Sequence, residues 1–287
     1  MSSHSFPTRR SSDLKGAHVP VFSLNDLEPY YIDYTKNLSA VQLDLGRWLP
    51  SLSWQIRRLV PGELVAIVAD TGVGKTGILQ NIALACKPLA TLFFELELPQ
   101  EIMFERFVSI HANLRAIDVE SAYASGDYAG SKALERINWL YICTEPKMTA
   151  NRLEELIDKS ELRIGERPRV VIIDYVQLMA SASAKSRYEK ISDVAESLKI
   201  VAKATRTIII FASQISRKGD EVEIFLHDAK DSGSIENSSG LVLGAWRDKE
   251  DSSRMWIKVL KNTKGKAGAK IPCRIDGERM RITEEKA

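Results

Sequence analysis

From Ser51 onward, short apolar runs alternate with amphipathic stretches, and the two periodicities predict different elements. Leu64–Ala69, Leu89–Glu95, Val170–Asp174, Thr207–Ser213 and Leu241–Trp246 are apolar runs bounded by turn or polar residues, which predicts strands. Helical patterns lie between them. Pro99 stands at a first helical position ahead of Ile102, Phe104, Phe107 and Val108. Thr149 is placed to cap a helix through Lys159. Ile191, Val194, Ala195, Leu198, Val201 and Ala202 follow i, i+3, i+4, i+7 spacing, the signature of one buried helix face. Such alternation predicts an α/β fold with a mainly parallel sheet flanked by helices on both faces. The end reads differently: Met255–Asn262, Ala269–Ile275 and Arg279–Thr283 are expected as consecutive antiparallel strands joined by glycine-containing turns.

Composition narrows the classes. Of 287 residues, 44% are hydrophobic and 27% charged, which excludes wholesale disorder. No apolar run approaches the roughly 20 residues of a membrane helix, so no membrane partner is expected. Cys86, Cys143 and Cys273 are far apart and odd in number; they form no disulfide or zinc pattern and suit a reducing, cytoplasmic setting. The net charge of +2 makes no case for nucleic acid, so any such case must come from local clusters. Residues 1–14 lack the apolar core of a secretory signal. His4–Leu14 back-translates into a common short-read sequencing adapter, and residues 1–14 are read as that artefact. The expectation is therefore a natural chain that begins upstream of Lys15 and has lost an amino-terminal domain. Residues 15–50, with Pro20, Pro29, Pro50 and the aromatic acidic patch Glu28–Tyr34, are read as an extension or linker, and residues 51–287 as the folded domain.

The chemistry begins at Ala69-Asp70-Thr71-Gly72-Val73-Gly74-Lys75-Thr76, between an apolar strand and the apolar helix Ile78–Cys86. This is the context of a Walker A phosphate loop. Gly72 and Gly74 let successive backbone N–H groups curl around a phosphate, and the helix amino terminus adds positive partial charge. Lys75 would reach the β- and γ-phosphates of ATP, and the Thr76 hydroxyl would hold Mg²⁺. Ala69 replaces the first glycine of the pattern. Val170–Asp174 is a strand run ending in a carboxylate, as a Walker B aspartate near the metal requires. Hydrolysis also needs a group to orient water. Glu95 and Glu97 both lie at the end of a predicted strand, and position alone does not choose between them. Gln214 ends another strand and is a candidate γ-phosphate sensor, while Asp228 and Arg247 are further candidates for the nucleotide edge.

Taken together, these motifs resemble the carboxy-terminal ATPase domain of DnaB-type replicative helicases, a RecA-like P-loop fold, from about Ser51 to Thr283. Pro61-Gly62-Glu63-Leu64 resembles the approach to that family's first strand. Phe93–Pro99 resembles its F-S-L-E-M-P segment, which places the catalytic glutamate at Glu97 and makes Glu95 a neighbour. Val171–Met179 is similar to its Walker B strand and I-D-Y-L-Q-L-M continuation. Ser213–Arg217 resembles S-Q-L-N-R, supporting Gln214 as sensor, and Asp231–Glu236 resembles E-S-G-S-I-E.

The resemblance implies an ATP- and Mg²⁺-dependent helicase that moves on single-stranded DNA as a homo-hexameric ring, with a primase or loader as protein partner. It also implies DNA contacts from two loops, through Lys185 and Arg187 after the Walker B strand and Arg217 and Lys218 after the sensor strand. One departure stands out. The family's K-x-R-x-G reaches a neighbouring subunit's nucleotide. Lys261 matches the lysine, but Thr263 stands at the arginine finger, with Lys264 or Lys266 as the substitutes within reach. An alternative follows: a slowly hydrolysing, ATP-dependent DNA-binding or loading protein of the same fold. Lys258, Lys261, Lys264, Lys266 and Lys270, with no acid between them, form one more candidate nucleic-acid surface, and Tyr188 and Phe225 are candidates for base stacking.

Overall fold

The computed structural model describes residues 22–36, 38–127, 136–145, 148–180, 187–215, 223–228 and 233–285. The chain forms two compact units, Met1–Ala40 and Val41–Ala287. The first contains helix α1, Leu24–Lys36, where the sequence pattern predicts a linker. A reciprocal cap starts it: the Ser23 backbone N–H donates to the Asp26 carboxylate at 2.8 Å, and the Asp26 N–H donates to the Ser23 hydroxyl at 3.2 Å. Pro29 lies inside this helix, and none of its residues is buried.

The second unit is built on one nine-stranded sheet of order β3-β2-β4-β5-β1-β6-β7-β8-β9. The strands are β1 Leu64–Ala69, β2 Thr91–Glu95, β3 Leu140–Cys143, β4 Val170–Asp174, β5 Ile208–Gln214, β6 Leu241–Arg247, β7 Arg254–Asn262, β8 Lys270–Asp276 and β9 Arg281–Glu284. Pairings from β3 to β6 are parallel, and those from β6 to β9 antiparallel. This is the α/β architecture that the pattern predicts and the RecA-like fold that the resemblance implies. All six residues of β1 are buried, because both faces of the sheet are covered. Strand geometry sends alternate residues to opposite faces. Val65, Ile67 and Ala69 join one core with helices α2 (Lys75–Ala85) and α3 (Gln100–Ala112). Leu64, Ala66 and Val68 join the other with α5 (Ala150–Ile164) and α6 (Arg187–Thr205). Helix α4, Ala116–Ala124, follows α3, and the short helix α7, Gly233–Ser238, leads into β6.

Several expectations hold locally. Thr149 caps α5 by accepting the Arg152 N–H at 3.2 Å, and the predicted stripe of α6 lies in the second core. Others shift. Pro99 is the residue before α3 rather than its first turn. Ile102 and Phe104 face outward, at 38% and 44% exposed, while Phe107 and Val108 are buried. The compact unit also starts ahead of Ser51: Leu43, Leu45, Trp48 and Leu49, read as linker, are core residues. The indole N–H of Trp48 donates to the Ile282 carbonyl at 3.2 Å, tying this segment to the last strand.

Candidate nucleotide-binding site

Parallel strands deliver their carboxyl ends to one edge of the sheet, and β1, β2, β4, β5 and β6 end there in Ala69, Glu95, Asp174, Gln214 and Arg247. Register places them side by side: Glu95 is opposite Asp174, and Ala69 is opposite both Gln214 and Ala245. The loop Asp70–Gly74 leaves this edge and enters α2. Gly72 and Gly74 have φ of 77° and 108°, in the region that glycine adopts without cost. A side chain at Gly72 would meet nothing within 4 Å, so the loop's crest is open. Ala69, with ordinary strand geometry, closes β1 and needs no glycine.

Lys75 lies in the first turn of α2 and folds over the loop, donating to the Asp70 carbonyl at 2.9 Å. Partial burial lowers its pKa, and the negative charges of Asp174, Asp70 and Glu97 pull it back up. An ammonium held by carbonyls alone is poised to exchange them for phosphate oxygens.

Asp174 carries the strongest electrostatic demand at this edge. The residue is fully buried, and neither carboxylate oxygen has a hydrogen-bond partner. Burial pushes its pKa up to about 7, and nearby Glu95 and Glu97 add to the rise. The Thr76 hydroxyl faces it and favours the ionised form, without closing a hydrogen bond of ordinary geometry. A buried carboxylate left this way is costly unless a cation completes it. The donor set, one carboxylate and one hydroxyl beside a phosphate loop, fits a hard divalent cation such as Mg²⁺.

The two glutamates separate by environment. Glu95 is 2% exposed, and its Oε1 accepts the backbone N–H groups of Glu97 at 2.8 Å and Leu98 at 2.7 Å. Burial raises its pKa. Glu97 is exposed on the turn so formed, close enough to Lys75 and Asp174 to act on their charges. Gln214 donates from Nε2 to the Thr71 hydroxyl at 2.6 Å, joining the end of β5 to the phosphate loop.

Two more residues act here to which the sequence pattern assigns no role or no certain one. Gln177 donates to the Ser213 hydroxyl at 2.9 Å and the Gln214 carbonyl at 2.8 Å, and accepts the Gln214 N–H at 3.2 Å, so it fixes the end of β5 against the turn after β4. Arg247 donates from Nε to the Val73 carbonyl at 2.9 Å and from Nη1 to the Ser252 carbonyl at 2.9 Å. It lies on the phosphate loop, as one of the two edge candidates. The other, Asp228, accepts the Phe225 N–H at 2.7 Å and braces its own turn.

Residues 49–284 match the family described as DnaB-like helicase C terminal domain. The chain belongs to that family. A replicative DNA helicase DnaB of Leifsonia xyli subsp. xyli is 30% identical over 64% of this chain and 42% of its own length. Among solved structures, one described as an ATPase domain superposes with TM-score 0.78 at 20% identity, covering 91% of this chain and 99% of that one. A DnaB-like replicative helicase, described together with its interactions with primase, superposes with TM-score 0.77 at 19% identity over 91% of this chain and 68% of that one. The chain thus spans about half the length of the curated relatives it matches.

Against this DnaB-type frame, the remaining expected residues divide. Lys185, Arg217 and Lys218 lie outside the described residues, as does the side chain of Arg187, which opens α6; the side chain of Tyr188 and residues 1–14 lie outside them too. Lys261 is described, and it is not at this chain's own phosphate loop. Its register partner is Val242, near the start of β6, so it lies toward the opposite edge of the sheet, five residues or roughly 17 Å along the strand from Arg247. There its ammonium donates to the Glu236 carbonyl of α7. Thr263 sits at the same edge, with its hydroxyl donating to the Gly240 carbonyl at 3.1 Å. The expected lysine surface is largely neutralised. Lys258 and Lys270 share Glu223 at 2.6 and 3.1 Å, and Lys264 pairs with Glu63 at 2.7 Å. Phe225, 39% exposed, stacks on His227 at 5.5 Å beneath the Lys258 ammonium. Among the described residues, no helix is long and apolar enough to cross a membrane.

Proposed function

We propose that this chain is the ATP-hydrolysing motor domain of a DnaB-type replicative helicase, working in the cytoplasm as a hexameric ring on single-stranded DNA, with a primase or loader as protein partner. The observation that carries the reading is Asp174, a fully buried carboxylate with two unpartnered oxygens beside an open Gly-Lys-Thr loop. In this reading the N–H groups from Gly72 to Thr76 cradle the phosphates, and Lys75 moves from the Asp70 carbonyl to the β- and γ-phosphate oxygens. Thr76 and Asp174 hold magnesium, which when bound draws charge from the phosphates. Glu97 takes the proton from the attacking water, and Gln214 senses the γ-phosphate through the loop that Thr71 belongs to. Lys261, remote from its own loop, serves the nucleotide of the next subunit. Lys185, Arg187, Arg217 and Lys218 grip the DNA backbone without reading sequence.

Phosphate release with and without single-stranded DNA, run beside strand displacement on a forked duplex, tests this. The expected result is DNA-stimulated turnover and displacement, both lost in Lys75→Ala. Turnover indifferent to DNA and to Lys75 would reject the motor. Sedimentation with ATP and Mg²⁺ tests the ring, and a monomer at high concentration would reject it.

A further inference from the structure

We propose that Glu95 is a positioning residue that holds Glu97 at the nucleotide edge. The inference rests on the reading of Glu97 as the group that activates water. β2 ends at Glu95, and the chain must then turn sharply into α3. The Glu95 side chain folds back under this turn, and a single oxygen, Oε1, takes both the Glu97 N–H at 2.8 Å and the Leu98 N–H at 2.7 Å. On the other side, the Leu96 N–H donates to the Asp174 carbonyl at 3.1 Å. Three consecutive amides are thus tied down, two by Glu95 and one by the Walker B strand. What the turn leaves free is the Glu97 side chain, which projects into solvent beside Lys75.

The second oxygen of Glu95 argues that the bracket serves this purpose and is not incidental. Oε2 is buried and has no hydrogen-bond partner, in a residue 2% exposed. An acid placed there carries a desolvation cost that a small hydroxyl would avoid.

The test compares Glu95→Ala, Glu95→Ser and Glu95→Gln, since a glutamine carbonyl can accept the same two N–H groups. Glu95→Ala is expected to lower kcat roughly 10- to 100-fold, as small misplacements of a reacting group do. The KM for ATP and the affinity for a non-hydrolysable ATP analogue should stay within about 2-fold, because the phosphate loop is untouched. Glu95→Gln should restore most of the turnover, with Glu95→Ser between. Amide hydrogen exchange supplies a readout that needs no turnover: Glu97 and Leu98 should exchange faster in Glu95→Ala and at the wild-type rate in Glu95→Gln. Wild-type kcat in Glu95→Ala, unchanged exchange at the two amides, or a matched loss of kcat and nucleotide affinity would each overturn the proposal. If Glu95→Ala does not fold, Glu95→Ser and Glu95→Gln decide it by the same two readouts. A wild-type protein without ATPase activity would sink the motor reading, and exchange would still test the bracket.

Discussion

The two edges of the sheet are built on opposite electrostatic principles. At the carboxyl edge, Asp174 is buried with no partner, Lys75 is held by a carbonyl, and Arg247 donates to two carbonyls. At the other edge Lys264 is paired with Glu63 and the Thr263 hydroxyl donates to the Gly240 carbonyl, while Lys261, like Lys75, is held by a carbonyl, that of Glu236 in α7. A buried charge without a partner is costly, so such a group points to a place where a ligand can complete it. Satisfied charge marks structure. The difference teaches that the carboxyl edge offers the groups the proposed nucleotide would need, while what the other edge could lend a neighbour is limited to groups that must first let go of their present partners.

The largest expected effect sharpens the first half of that contrast. Glu97→Gln should lower turnover by about 10²–10⁴-fold, the range for a lost general base, with nucleotide affinity preserved. Steady-state phosphate release beside a fluorescent-nucleotide titration measures both. Retained turnover would move the base elsewhere. Next comes the second half: Thr263→Arg restores the missing guanidinium, and an arginine finger is worth orders of magnitude. DNA-stimulated turnover should rise by about 10-fold or more. No rise would mean that the amino edge does not face a nucleotide in the assembled ring.

How much of this is legible in the sequence follows the same division. The phosphate loop and Asp174 can be read because each is local: glycines and a lysine after an apolar run, a carboxylate closing another. The choice between Glu95 and Glu97 cannot be made from position, because it depends on which carboxylate folds back onto the turn. The partners of the lysine cluster are hidden from the sequence for a related reason. No acid lies between Lys258 and Lys270 in sequence, yet Glu223, from a distant segment, sits between them in space. β3 escapes notice because its four residues are only partly buried and show no alternation. The apolar residues of α1, among them Leu24, Tyr30 and Tyr31, are exposed, so no buried stripe announces the helix.

A moderate effect tests whether Asp174 is unsatisfied as its surroundings imply. Its pKa is raised from 3.8 to about 7 by burial. Between those values the folded, metal-free protein keeps a proton that the unfolded chain has released. Its stability should therefore fall as pH rises through that window and level off above it. Asp174→Asn removes the titration. The variant should show a flatter melting profile against pH and, at pH 8 without divalent ions, a higher Tm, at roughly 2–4 °C per kcal/mol regained. Added Mg²⁺ and nucleotide should stabilise the wild type and not the variant. A Tm of the wild type that rises with pH over this window would contradict the burial argument.

The smallest effect can break the comparison from the other side. Lys264 bridges Glu63 at 2.7 Å and the Arg58 carbonyl at 2.8 Å, while Glu63 also accepts the Val60 N–H at 2.9 Å. The pair pins the turn before β1 to the turn after β7, with both side chains about a quarter exposed. Such a pair contributes on the order of 1 kcal/mol, weakened by salt. Lys264→Met should cost about that in urea unfolding and leave DNA-stimulated turnover unchanged within about 2-fold. If turnover instead fell by an order of magnitude at unchanged stability, Lys264 would be acting on a neighbour's phosphates in place of the absent arginine. The amino edge would then be a latent half-site whose cation leaves Glu63 when a partner's nucleotide arrives, and Glu63→Gln, which frees that cation in advance, should raise turnover rather than leave it unmoved.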